Sequence, residues 1–411
     1  MGEQRTLGIN GLGRIGKLTL WYHLGRDDFD RLVVNVGRPV GTSLDAIVQY
    51  IAKDSTYGPL HRYLNGHSGV RDIKVIDEAA GTIRAHGKEI VILRDVRNPK
   101  DIPWRDCGAN LVVECTGKFR DPHAEPAVAA GALRGHLAAG ARVVLQSSPF
   151  KSKLKGVPLP DDTVMLINGI NHYQFDAGKH KLVSAASCTT TALAHMMRPL
   201  LDRDLTRHMI TAGMSTVHAV TNSQPVLDAV PGANATDLRK TRGALGNVVL
   251  TSTNAAAALE MVMPEIARIG FMADSVRIPT ASVSLIILNV TFQTEASTDG
   301  TVAMDREAIN EIYREAAEGE ARGLLKYSDE QNVSADMLGE DAAVVIEGVE
   351  THTRTGFVDL RLPAQRPGDG QQHHSLRVPL AHVKIFGWYD NEMGSYTHRL
   401  GELTAHVARS L

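Results

Sequence analysis

The chain has 411 residues, 43% apolar and 22% charged, and its 44 Lys and Arg against 46 Asp and Glu leave a net charge of −2. That length predicts two or three domains and a large core, and the balanced charge excludes the strong basic field that grips nucleic acid. No apolar run reaches about 18 residues, the opening residues lack a signal-peptide core, and three cysteines do not make a disulfide framework, so a cytoplasmic protein with no membrane span is expected.

The first half alternates short apolar runs with helical patterns. Thr6–Asn10 reads as a strand, Gly16–Leu24 as a helix, Leu32–Val36 as a second strand, and Leu111–Glu114 and Arg142–Gln146 as later strands. This alternation predicts a parallel sheet covered by helices. The texture changes near Ser184–Cys188, where a domain boundary is expected. Beyond it, helical patterns lie at Thr189–Leu201, Thr253–Ile266 and Met304–Glu318, and the alternating stretch Ala281–Gln293 suggests a larger mixed sheet. Pro363–His374 is rich in turn formers and reads as an exposed loop joining two strands, with His373 and His374 solvated. Tyr396–Leu411 reads as one amphipathic helix. No C-x-x-C pair and no H-E-x-x-H occurs, so no metal site is expected.

Gly11-Leu12-Gly13-Arg14-Ile15-Gly16 is G-x-G-x-x-G, placed between a predicted strand and a predicted helix. In that context each glycine answers a separate need. Gly11 permits the tight turn, Gly13 lets a pyrophosphate approach, and Gly16 lets helix and strand pack. The pyrophosphate then meets free N–H groups at the helix N-terminus. An acid some 20 residues on ordinarily binds the ribose 2′-hydroxyl. Here the second strand ends Asn35-Val36-Gly37-Arg38, with no acid in place. A 2′-phosphate is then not repelled, and Arg38 is a candidate partner for it. Use of NADP, alone or alongside NAD, is expected; the other reading leaves Arg38 solvated and NAD bound.

Cys188 stands in Ser184-Ala185-Ala186-Ser187-Cys188-Thr189-Thr190-Thr191, just before a helical pattern. Small and hydroxyl residues suit a helix N-cap, and a thiol there feels the dipole that lowers its pKa. His218, 30 residues on, is a candidate base and later acid for that thiol. Cys107 and Cys115 lie in or next to a predicted strand and are read as structural. A nicotinamide beside a nucleophilic cysteine points to an aldehyde, oxidised through a hemithioacetal and a thioester.

These residues resemble the phosphorylating glyceraldehyde-3-phosphate dehydrogenase family, and the likeness runs over nearly the whole chain. Asn10 to Gly16 resembles the family's opening, Lys53-Asp54-Ser55-Thr56-Tyr57-Gly58 its Y-D-S-T-H-G, Ile102-Pro103-Trp104 its I-P-W, and Glu114-Cys115-Thr116-Gly117 its E-S-T-G. Ala186 to Thr190 is similar to its nucleophile motif, Thr216-Val217-His218-Ala219 to its histidine motif, Arg277-Ile278-Pro279-Thr280 to its R-V-P-T, and Trp388 to Gly394 to its W-Y-D-N-E-x-G.

The resemblance implies an α/β protein with a Rossmann-type parallel-sheet cofactor domain at 1–186, a mixed α+β catalytic domain with a large sheet at 187–390, and a C-terminal helix, 391–411, packing back on the cofactor domain. It implies Cys188 as nucleophile and His218 as its base. Gly11, Gly13, Arg14, Ile15, Gly16, Arg38, Thr116, Gly117 and Ser147 would serve the cofactor, and Asn391 would bind the nicotinamide amide. Thr221 and Arg277 would hold the substrate phosphate. Arg242, helped by Ser187, Thr189 and Thr253, would hold inorganic phosphate. A homotetramer is implied, with a looped segment at about Asn222 to Gly243.

The chain departs from the pattern at Thr191, Ala192, Pro225, Asn254 and Ser395, at the absent acid, and in extra residues around Thr351–Ser375. These changes surround the cofactor and phosphate positions and spare Cys188 and His218. A related substrate such as erythrose 4-phosphate is therefore a second reading. A third is a nicotinamide-binding redox sensor using Cys188 as an oxidisable thiol. Two phosphate-binding arginines, Arg242 and Arg277, favour the enzyme.

Overall fold

The computed structural model describes residues 4–154, 156–222, 224–233, 235–295, 304–362 and 374–411. The chain forms two compact units, Met1–Thr191 with Asn391–Leu411, and Ala192–Asp390.

Among the described residues, the first unit holds a nine-stranded sheet in the order Thr163–Met165, Leu182–Ser184, Val143–Gln146, Leu111–Glu114, Thr6–Asn10, Arg31–Asn35, Lys88–Leu93, Thr82–Ala85, Ile73–Asp77. Pairing is parallel from the first of these to Lys88–Leu93, and antiparallel across the last two strands. The chain moves outward from Thr6–Asn10 in both directions. The strands flanking it, Leu111–Glu114 and Arg31–Asn35, therefore open a crevice at their carboxyl ends, where doubly wound sheets bind ligands. Every residue of Thr6–Asn10 is buried, as a central parallel strand covered on both faces requires.

The first helix begins at Arg14, two residues before the predicted start, because extended Gly13 (φ −79°, ψ −162°) already serves as its N-cap. Leu18, Leu20, Trp21 and Leu24 on it are at most 1% exposed, each burial stabilising by about 1.5–3 kcal/mol. The chain end also belongs to this unit. Met393, Leu400, Leu403 and Val407 enter the same core cluster as Leu7 and Trp21. Tyr22 Oη donates to Glu402 Oε1 at 2.7 Å, and a Cβ on Gly401 would strike the Tyr22 ring. The expected helix from Tyr396 is regular only over Arg399–Arg409; Met393–His398 is a wider, π-type turn.

The second unit holds an eight-stranded mixed sheet in the order Val249–Thr251, Gly270–Arg277, Met209–His218, Ser284–Gln293, His374–Tyr389, Val344–Glu347, Leu325–Ser328, with His352–Leu362 also on His374–Tyr389. The strand predicted over Ala281–Gln293 thus starts at Ser284. The helix predicted over Thr253–Ile266 is two pieces, Ala255–Val262 and a 3-10 turn Pro264–Arg268. Pro264 explains the break: it lacks an N–H and drives Met263 out of helical geometry (φ −137°, ψ 78°). Helix Arg306–Glu318 starts where Asp305 accepts from the Ala308 N–H at 2.8 Å.

The extra residues around Thr351–Ser375 enter a long antiparallel ribbon, with His352 opposite Lys384 and Leu362 opposite His374. The loop predicted at Pro363–His374 lies outside the described residues up to 373, His373 included. No helix among the described residues is long and apolar enough to cross a membrane.

Candidate active site

The Gly11–Gly16 turn has the backbone that its sequence demands. Gly11 adopts φ +98°, closed to most side chains, and its N–H donates to Asn35 O at 2.8 Å. A Cβ on Gly16 would collide with the Gly11 carbonyl oxygen, while one on Gly13 would meet nothing within 4 Å. The turn is therefore packed where strand meets helix and open where a pyrophosphate approaches, so these residues fit a dinucleotide. Ile15 packs against the core. Arg14 points elsewhere: it pairs with Asp54 and, at 2.5 Å, with Glu392. Lys17 Nζ also lies 2.6 Å from Asp54. Burial alone would raise the Asp54 carboxyl, but the hydrogen bonds from Arg14 and Lys17 outweigh it and hold the pKa down at about 2.

Beside the turn lies a cleft of about 800 Å³, lined in part by Asn10, Asn35, Arg38, Arg97, Thr116, Lys118 and Lys153. Its lining residues Asn10, Asn35 and Thr116 belong to a buried hydrogen-bond chain. Trp104 Nε1 donates to His136 Nδ1 at 2.9 Å. An indole N–H only donates, so the other ring nitrogen, Nε2, carries the proton and donates to Glu114 Oε2 at 3.0 Å. Glu114 also accepts from Asn10 Nδ2 at 2.5 Å, from the Thr116 N–H at 2.6 Å and from the Thr116 hydroxyl. Asn10 Oδ1 then accepts from Asn35 Nδ2 at 2.8 Å. Gly117 follows with φ +66° and open space at its Cβ position. Of the expected cofactor residues, Arg38 and Thr116 line this cleft. Ser147 is 9% exposed and lies against Cys115 and Tyr396. Asn391 is buried at the start of the C-terminal segment. Burial first, then Glu114, push the Cys115 thiol up to about 12, so it is no nucleophile at neutral pH.

Cys188 is the first residue of a helix, Cys188–Leu201, one residue ahead of the start that the helical pattern predicts. Ser187 is its cap: Ser187 Oγ accepts from the Thr190 N–H at 3.1 Å and sits 2.7 Å from the Thr190 hydroxyl. Ser395 Oγ donates to Cys188 O at 2.6 Å. Ala186, two residues earlier, has φ +56°. A left-handed alanine stores about 1–3 kcal/mol of strain, and buried contacts hold it: its N–H donates to Ser184 Oγ at 3.2 Å and its carbonyl accepts from Tyr396 Oη at 3.3 Å. The thiol is thus set in the first turn, at the positive end of the dipole, with Thr189 Oγ1 4.0 Å from Sγ.

In the second unit, His218 and Arg277 are register partners on parallel strands. Arg277 Nη1 lies 2.6 Å from His218 Nδ1 and donates to Ala219 O at 2.9 Å. Burial, then the charge of Arg277, lower the imidazole pKa to about 3, so His218 is neutral at pH 7. Thr221 follows this strand, its carbonyl accepting from the Gln224 N–H at 2.9 Å. Exposed Arg242 pairs with Asp228 at 2.9 Å, and the Gly243 N–H donates to the same carboxylate at 2.8 Å. Thr253 Oγ1 accepts from the Ala255 N–H at 3.2 Å, at the start of the Ala255–Val262 helix.

Pattern reading did not single out Asn10 or Asn35, nor Arg97, Lys118 and Lys153 around the cleft, nor His136. They come from separate segments that only the sheet order brings together. One signal was available: Asn35 is a polar residue in the apolar strand that precedes Gly37-Arg38.

A doubly wound sheet with this glycine turn defines a dinucleotide-binding protein. Residues 5–122 match the glyceraldehyde 3-phosphate dehydrogenase NAD binding domain, and residues 187–360 match the C-terminal domain of the same enzyme. The chain is 31% identical over 403 residues to glyceraldehyde-3-phosphate dehydrogenase 1 of Bacillus cereus, covering 98% of each chain. It is 31% identical over 408 residues to glyceraldehyde-3-phosphate dehydrogenase of Geobacillus stearothermophilus, again covering 98% of each. The cytosolic enzyme of Pisum sativum aligns over 411 residues at 30% identity, 100% of both. The chain belongs to the glyceraldehyde-3-phosphate dehydrogenase family, and its fold is a Rossmann-type NAD-binding domain joined to a mixed α+β domain.

Proposed function

We propose that this chain oxidises glyceraldehyde 3-phosphate to 1,3-bisphosphoglycerate, with Cys188 as nucleophile and inorganic phosphate as acyl acceptor. The observation that carries this reading is Cys188 at the first turn of a helix capped by Ser187, beside a backbone strained at Ala186. Such a setting favours a thiolate and fixes where it points.

Cys188 Sγ adds to the aldehyde carbon and forms a hemithioacetal, whose hydroxyl proton passes to His218. A nicotinamide dinucleotide, bound at the Gly11–Gly16 turn and oriented by Asn391, supplies the hydride acceptor. The acyl group then rests on Sγ as a thioester. Arg242, with Ser187, Thr189 and Thr253, presents phosphate to the acyl carbon, and the Cys188 thiolate leaves. Arg277 and Thr221 hold the substrate's own phosphate. The cofactor is NAD or NADP, with NADP favoured because no acid follows the second strand. The working form is a cytoplasmic homotetramer.

Nicotinamide reduction by the purified protein tests the reading, with glyceraldehyde 3-phosphate or erythrose 4-phosphate as substrate, each with and without phosphate. Phosphate-dependent turnover of glyceraldehyde 3-phosphate supports it. Turnover of erythrose 4-phosphate alone moves the substrate. Absence of turnover with both, on protein that binds dinucleotide, overturns it.

A further inference from the structure

Two neighbouring side chains of the C-terminal segment reach the bend that carries Cys188. Ser395 Oγ donates to Cys188 O at 2.6 Å, and Tyr396 Oη donates to Ala186 O at 3.3 Å. Both contacts lie inside one compact unit, since Met1–Thr191 and Asn391–Leu411 fold together. Ser395 is fully buried and Tyr396 is nearly so. Burial, then the nearby Cys188, push the Tyr396 phenol well above its ordinary pKa, so it remains a donor throughout the working range of pH.

A wider turn makes the double contact possible. Met393–His398 is π-type, and the Thr397 N–H donates to Glu392 O, five residues back, at 3.2 Å. Such a turn holds one residue more than an α turn and recurs at functional sites. Ser395 lies inside it, at a position where the chain departs from its family. The near end of the turn is fixed: Glu392 pairs with Arg14 at 2.5 Å, and the Thr397 hydroxyl donates to Glu392 O at 2.7 Å. The two carbonyls that the turn grips flank Ser187, the cap of the Cys188–Leu201 helix. Ala186 is held there at φ +56°, a left-handed state that an alanine leaves when nothing restrains it. Released, the backbone at Ala186 would relax and turn Ser187 and Cys188 with it. The thiol would then leave the N–H groups of the first turn, where alone the dipole acts strongly.

We propose that Ser395 and Tyr396 are positioning residues for Cys188: they clamp the Ala186–Cys188 bend in its strained form and so hold the thiol where a thiolate is favoured. Ser395 acts at the carbonyl of Cys188 itself, and Tyr396 at the strained residue. The inference rests on the nucleophile reading above and deepens it, giving the C-terminal π turn a part in the chemistry and not in packing alone.

The pH dependence of Cys188 alkylation by iodoacetamide reads the thiol directly, without aldehyde or cofactor. Cys107→Ser serves as the parent protein, and Cys115, pushed up to about 12, stays silent at neutral pH. In that parent, Ser395→Ala and Tyr396→Phe each delete one hydroxyl. Each should raise the alkylation midpoint by about half a unit to one unit, a loss of about three- to tenfold in thiolate below it. A purely structural part would lower the melting temperature and leave the midpoint alone. An unmoved midpoint in whichever of the two variants folds therefore overturns the inference, and leaves the enzymatic reading to its turnover assay. Shifted midpoints with no aldehyde turnover by the parent sink the enzymatic reading and leave the clamp standing. A parent midpoint at the ordinary value of about 8.5, unmoved by either variant, overturns nucleophile and clamp together.

Discussion

Arg277 and His218 stand opposite each other on parallel strands, with Arg277 Nη1 2.6 Å from His218 Nδ1. Nδ1 also lies 2.7 Å from the Ala219 carbonyl oxygen, so this ring nitrogen faces a guanidinium donor and a carbonyl acceptor at once. A phosphate dianion drawn to Arg277 would offset the charge that depresses the imidazole.

Arg277→Ala should raise the His218 pKa from about 3 toward its ordinary value of 6.5, since it removes the second-largest depressing cause and admits water to relieve the first. NMR titration of the ring would read the midpoint directly, and Arg277→Lys should stay near the wild type. A midpoint unmoved in Arg277→Ala would show that burial alone sets it.

Cys188→Ala should abolish turnover, by at least about 10⁴-fold, while NAD and NADP affinities change less than twofold. In the proposed reaction the thiol touches the chemistry and the glycine turn holds the cofactor. Turnover near the wild-type rate would remove Cys188 from its role.

Gly16→Ala should cost dinucleotide affinity more than any other small change. The added Cβ meets the Gly11 carbonyl oxygen, so strand and helix must separate and the turn must open. Gly13→Ala meets nothing in the protein and should weaken only dinucleotide binding, with a thermal midpoint near that of the wild type. Calorimetry and melting together separate the two cases.

His23 is fully buried, and neither ring nitrogen has a hydrogen-bond partner among the described residues. Burial lowers its pKa from 6.5 to about 3. The unfolded chain thus binds a proton at higher pH than the folded one does. Stability is unaffected by His23 above pH 6.5 and falls as pH drops from there toward 3. His23→Leu should flatten the acid side of the stability profile by up to about 1.4 kcal/mol per pH unit, one proton's worth. Urea midpoints at several pH values would show it; parallel profiles for mutant and wild type would contradict it.

Glu114 accepts from Asn10, His136 and two groups of Thr116. Glu114→Gln puts an NH₂ against donors and should destabilise by about 2–4 kcal/mol. Urea midpoints of mutant and wild type would read the loss, and equal midpoints would contradict it.

The glycine turn was legible from residues alone, because each glycine answers a different backbone need and all three lie within six positions. Cys188 was legible for a similar reason: capping chemistry is local. The pairing of Arg277 with His218 was not, because 59 residues separate them and only parallel strand register makes them neighbours. The same holds for Trp104, His136, Glu114, Asn10 and Asn35, whose bonds join strands and loops of one sheet. Arg14 shows the opposite hazard. Its place in the motif suggested the cofactor, yet tertiary carboxylates from Asp54 and Glu392 claim its guanidinium. The break at Pro264 was visible in the sequence and was outweighed by the apolar periodicity on either side.

The core that receives Leu7 and Trp21 also receives Met393, Leu400, Leu403 and Val407, and the unit they share is interrupted by Ala192–Asp390. A ribosome emits the glycine turn before Ala192–Asp390 and the residues that close its core after it. The dinucleotide-binding unit, though begun at the amino end, cannot be finished until the whole of the other unit has left the exit tunnel. Cofactor is therefore a late guest at synthesis, and the nascent chain must carry an open apolar flank for most of its translation.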